Sequence, residues 1–107
     1  MSNEAGTRVG AISHAKDNTV YVFGYGTYEG EKRPSECEQK PAGLMGELTT
    51  EADIQNPLIK LDNGNYVWGC ECWWVPENKI KEKVSKFDEV VEVDILQTRE
   101  KVNSQGE

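Results

Sequence analysis

Three cysteines and a single histidine are the residues of this chain best suited to metal or nucleophilic chemistry. Cys70 and Cys72 are separated by one residue, and together with Cys37 and His14 they would make up a Cys3His zinc set. The two-residue spacing of a zinc knuckle is missing, however, and Cys37 stands alone in a charged stretch, so the thiols are read as buried packing groups and no cofactor is expected. A Cys-His nucleophilic site is weaker still. His14 has only Asp17 nearby as an orienting carboxylate, and no glycine-rich oxyanion turn adjoins a cysteine, so the chain is not expected to be an enzyme. Zinc binding is kept as a distant alternative.

Aromatic residues form the stronger signal. Tyr66-Val-Trp-Gly-Cys-Glu-Cys-Trp-Trp-Val75 carries all three tryptophans. As one extended strand it would place Trp68, Cys70, Cys72 and Trp74 on a core face, leaving Gly69, Glu71, Trp73 and Val75 on the other. Thr19 to Tyr28 is a second strand, with Tyr21 and Tyr25 on the face opposite Val20 and Val22. The candidate binding residues are therefore Trp73, Glu71, Tyr21 and Tyr25, joined by Glu29, Glu31 and Arg33 from the charged loop that follows. Contiguous exposed rings of this kind mark interfaces. The competing expectation is that a short helix, or the Leu44 to Leu48 turn, covers the rings as a second small core.

The elements that position these groups follow from periodicity and turn chemistry. Arg8–Ser13 is a first short strand, and Asp17-Asn18 supplies its turn. Gly24 and Gly26 mark a sharp bend of the second strand and do not form a phosphate loop. Glu29 to Pro41 reads as a long exposed loop, and Leu44, Met45 and Leu48 as one helical turn, with Thr50 capping a second. Leu58–Leu61 and Tyr66 onward form a hairpin over Asn63-Gly64, expected to be a type I′ turn with Leu61 opposite Tyr66 and Ile59 opposite Trp68. Pro76 opens a helix with Ile80, Val84 and Phe87 in one stripe. Glu89 to Leu96, alternating at Val91, Val93 and Ile95, is the last strand.

The expected fold is thus mainly β (α+β), a small bent antiparallel sheet closing toward an SH3-like barrel with one C-terminal helix. Residues 1–7 are expected to be a flexible arm, 8–96 a single domain and 97–107 a polar, flexible tail.

A net charge of −7, with 11 acidic residues against 6 basic before Pro76, argues against non-specific nucleic-acid binding. Lys79, Lys81, Lys83 and Lys86, interleaved with Glu77 and Glu82, read as a solvated helix face. No apolar run reaches the length of a membrane span and no signal peptide is recognisable, so the protein is expected to be soluble and cytoplasmic, with reduced thiols.

VYVFGYGTYEG from Val20, NPLIKLDNGNYVWGCECWW from Asn56 and the following Pro76-Glu77 together resemble a family of small uncharacterised proteins met mainly in bacteriophage genomes. Where that family often has Gly-Pro-Glu after the Trp-Trp pair, this chain has Val75-Pro76-Glu77. The resemblance implies a phage setting in a host cell. Two functions are expected to compete: inhibition of a host defence protein by protein contact, and sequestration of a small nucleotide in an aromatic pocket. The acidic loop residues Glu29, Glu31, Glu36 and Glu38 would steer the first, whereas Arg8, Arg33 and Lys60 are the donors foreseen for the second. A homo-oligomer is compatible with either.

Overall fold

A computed structural model of the chain describes residues 4–105, with the side chains of residues 4–102. The parts of the expected arm and tail at residues 1–3 and 106–107 lie outside the described residues.

Two long strands, β1 (Arg8–Lys16) and β2 (Thr19–Lys32), form the central hairpin. Asp17 and Asn18 connect them with φ of 51° and 64°, the left-handed pair that a two-residue type I′ turn requires. The register slips between Ala11 and Ile12 and again between Ile12 and His14, so Phe23 of β2 and then Ser13 of β1 are each one residue extra. These bulges coil the ribbon and let neighbouring residues serve opposite faces.

The other strands are β3 (Asn56–Leu61), β4 (Tyr66–Trp68), β5 (Trp73–Pro76) and β6 (Glu89–Glu92). They extend the hairpin into one sheet of order β4-β3-β2-β1-β5, with β6 on the first half of β2. The fold is mainly β, as expected, but the sheet is open: the path ends at β4 and β5, which do not pair, so the SH3-like closure is not made. All pairings are antiparallel except β2 with β6, which is parallel because α2 carries the chain between β5 and β6.

Among the described residues three α-helices stand where one helix and two short helical turns were expected: α1 (Gly43–Ala52), which runs the two turns together, α2 (Glu77–Val84) and α3 (Ile95–Gln105). The expected last strand is shorter than its alternation suggests. Val93 packs on the core, and Ile95, 1% exposed, opens α3 within that core. The stretch read as a tail from residue 97 is therefore helical through Gln105. At the other end, the amide of Gly6 donates to the Tyr28 carbonyl at 2.7 Å and that of Tyr28 to the Thr7 carbonyl at 2.9 Å, so residues 6 and 7 are fastened to β2.

Both faces of the central hairpin are covered. On one side Val9, Ala11, Phe23, Ile59, Leu61, Val67 and Ile95 form the main core, with Trp74 and Cys72 packed against it. On the other, Ile12, Val20, Val22 and Ile80 form a smaller core under α2, flanked by Tyr25 and Phe87. A third cluster of Cys37, Leu58 and Trp68 lies beneath the loop after β2.

The β3–β4 hairpin differs from its expected form by one residue. Lys60 is opposite Tyr66, Ile59 opposite Val67 and Leu58 opposite Trp68. Leu61 N–H donates to the Asn65 carbonyl at 2.8 Å and Gly64 N–H to the Leu61 carbonyl at 2.9 Å, giving a three-residue loop with Gly64 at φ 94°. Gly64 supplies the left-handed residue of such a loop, whereas Asn63 stays at negative φ, so the turn is not type I′. A slip of one residue exchanges faces. Ile59 and Val67 enter the main core, and Leu58 with Trp68 enter the third cluster.

Candidate functional site

The tryptophan-cysteine stretch is not one strand. After β4 the chain makes a 3-10 turn, Gly69–Glu71, and resumes as β5. Simple alternation therefore fails across it, and Glu71 and Trp73 part company.

Glu71 turns inward. Its side chain is 5% exposed and pairs with Arg99 of α3, itself 10% exposed, through Arg99 Nη2 to Oε1 and Nε to Oε2, both 2.8 Å. The same carboxylate accepts the amides of Trp68 at 3.0 Å and Ala42 at 3.1 Å. Arg99 also donates to the Tyr66 carbonyl and to Gln39 Oε1, and Trp68 Nε1 donates to the Gln39 carbonyl at 2.7 Å. The charges are paired, four of the five guanidinium N–H groups have acceptors and both carboxylate oxygens accept twice, which is what burial of an ion pair demands. Among the described residues no buried side-chain nitrogen or oxygen lacks a partner. Glu71 is thus a clasp joining β4, α3 and the loop before α1, and the expectation that it faces a partner is corrected. Neither Arg99 nor Gln39 carries a sequence signal for this role, because each lies in a polar stretch without apolar periodicity.

Trp73 turns outward and is 66% exposed. It opens β5 opposite Ile12, where the bulge at Ser13 bends β1 away. Beside it lies a groove of about 350 Å3 between β1 and the C-terminal end of α2, with Ile12, Val20 and Phe87 as apolar lining and Lys83 and Lys86 as its cations. Lys83 Nζ stands 5.6 Å from the centre of the Trp73 ring, within cation–π range. His14 also lines the groove. Its ring stacks on Tyr21 at 4.4 Å, and it shares a 2.9 Å hydrogen bond with Ser13 Oγ. No residue lining this groove is acidic.

The other sequence candidates fall elsewhere. Tyr21 lies behind His14, outside the groove lining, and Tyr25 packs against the smaller core with Lys81 Nζ 5.8 Å from its ring. The Leu44 to Leu48 turn covers none of these rings: Leu44, Met45 and Leu48 are themselves exposed on α1. Glu29 and Glu31, at the far end of β2, and Arg33, just past it, stand roughly 23–36 Å along the chain from Val22, the residue level with Trp73, at about 3.3 Å per residue. They do not form one surface with Trp73. Glu31 accepts the Tyr28 hydroxyl at 2.7 Å, and burial together with that bond pushes the phenol up to about 12. Arg33 donates to the Asp53 carbonyl at 3.0 Å, and Glu36 Oε1 accepts the Arg33 amide at 2.9 Å. Glu29, Glu36 and Glu38 border a separate groove of about 450 Å3.

No family model, no curated protein and no solved structure matches the chain.

The cysteines and His14 do not converge. Cys37 and Cys70 share the third cluster, Cys72 packs on the main core and His14 lies by Trp73. Among the described residues, no three His, Cys, Asp or Glu side chains are placed to hold a metal ion. Burial, and after it the Glu71 charge, raises both the Cys70 and Cys72 thiols, which keeps them protonated and weakly nucleophilic. Among the same residues no helix is long and apolar enough to cross a membrane.

The groove was hidden from sequence reasoning because its cations were assigned to a solvated helix face. The available signal was adjacency: α2 follows β5 directly, so its end returns along β1 toward Trp73.

Proposed function

We propose that the chain is a small non-catalytic binding protein that docks on a partner protein through the Trp73 groove. The observation that carries the reading is the 66% exposure of Trp73 beside an apolar floor, in a domain whose other two tryptophans are packed. Burying such a ring is worth more than leaving it in water, and interface energy concentrates on residues of this type. The motif resemblance to bacteriophage proteins makes a host protein, such as a component of host defence, the natural partner, met in the cytoplasm of the host cell. The acidic groove at the far end of β2 would steer approach to a basic surface without sharing the contact.

Capture from host lysate on immobilised wild type and on the Trp73→Ala variant tests this. A partner held by the first and lost from the second supports the reading; equal capture by both removes it.

A nucleotide is the second reading, favoured by Lys83 and Lys86 standing beside the ring. They would be the phosphate donors in place of Arg8, Arg33 and Lys60, which do not line this groove. Base stacking on Trp73 would supply the rest. Calorimetry against a nucleotide panel decides it: heat abolished by Trp73→Ala supports a nucleotide, and no heat with any member retires it.

A further inference from the structure

We infer that the segment recognised at the Trp73 groove is an extended acidic peptide, which adds as a strand to the open edge of β1 at Ser13–Lys16. This deepens the docking proposal and rests on it.

The edge comes first. β1 pairs with β2 as far as Lys16 opposite Thr19, but β5 covers its outer side only from Val9 to Ile12. Beyond Ile12 the outer edge has no strand partner among the described residues. It offers alternating N–H and C=O groups, which another peptide backbone matches in both donors and acceptors. Phosphate would use the donors alone, so the edge favours a peptide over a nucleotide.

The groove continues that edge, because Ser13, His14 and Ala15 also line it. An added strand would project alternate side chains to one side. An apolar or aromatic residue there reaches Trp73 and Phe87, and carboxylates two residues away reach Lys83 and Lys86. In a chain with 19 acidic and 12 basic residues, a groove with two lysines, a histidine and no carboxylate is complementary to an acidic segment. A second copy joined edge to edge would instead crowd Lys16, Lys83 and Lys86 of both copies along one shared edge, and like charges oppose that pairing.

The test uses a random-sequence peptide display library panned on the full chain. Enriched peptides are expected to share an apolar or aromatic residue with Asp or Glu at alternate positions. The double variant Lys83→Glu, Lys86→Glu should weaken their binding at least about tenfold, with the urea midpoint retained. Amide hydrogen exchange at Ser13–Lys16 should slow when the peptide is bound. Neutral or basic consensus peptides, indifference to the charge reversal, or unprotected amides would each overturn strand addition. If binding still depends on Trp73 in such a case, the docking surface stands and only its strand chemistry falls. If no Trp73-dependent peptide is enriched, strand addition is overturned; whether the docking surface falls with it is read from the lysate comparison of wild type and Trp73→Ala.

Discussion

Residues two apart in sequence, Glu71 and Trp73, show how little the type of a side chain says about its task. Glu71 is charged and buried, whereas Trp73 is the ring left in water. Removing the Glu71 carboxylate strands the Arg99 guanidinium and two backbone amides, so Glu71→Ala should cost about 3–5 kcal/mol in urea unfolding. A loss within a few tenths of a kcal/mol would mean the clasp is replaceable by water. Tyr28 gives a second residue-level reading. Its phenol is held up to about 12 by burial and by the bond to Glu31, so ultraviolet difference absorbance of the folded protein should show a tyrosine ionisation near that value, removed in the Tyr28→Phe variant. A raised pKa favours the neutral form in the folded state. The stability it contributes is complete below the ordinary tyrosine value of about 10 and is lost as pH rises through the folded value. Neither role was legible in the sequence, since Arg99 and Glu31 become partners only through contacts distant in the chain or set by strand bending.

At the scale of elements the sequence said more. The central hairpin, the β3–β4 hairpin and the helix opened by Pro76 were all readable from alternation, turn residues and one apolar stripe. Boundaries and register were not. Asn63-Gly64 is compatible with two loops that differ by one residue, and the three-residue loop is the one that lets Leu58 and Trp68 pack in the same cluster. α3 was missed because its inward face, Ile95, Thr98, Arg99 and Val102, has the helical spacing but only two apolar members, too few to print a hydrophobic period. Gly26 tests the sheet itself. A Cβ there would strike the Lys60 carbonyl and come within 2.8 Å of the Leu61 Cα, both backbone groups unable to swing away. Gly26→Ala should therefore destabilise by about 1–3 kcal/mol and loosen β3 from β2, seen as faster amide exchange along β3. Unchanged exchange would show that the strands can separate slightly at no cost.

For the whole molecule, charge is divided by place rather than balanced. Carboxylates hold several loop and helix ends: Arg8 keeps Asp62 below the usual carboxylate range, Lys81 and then Arg8 lower Glu77, and the Ser35 amide and hydroxyl lower Asp53. Depressed values contribute stability that is present above the unfolded pKa of about 4 and lost as pH falls through the folded ones. Acid unfolding should accordingly begin only below about pH 4, and an onset near neutrality would contradict these attachments. The Trp73 groove stands apart from that pattern as a cation-lined, apolar strip on an acidic chain. Its use is tested most directly by measuring Trp73→Ala for stability and partner capture side by side. The prediction is an unchanged urea midpoint with affinity weakened by on the order of 2 kcal/mol or more. Undiminished capture, or loss of the fold, would contradict it.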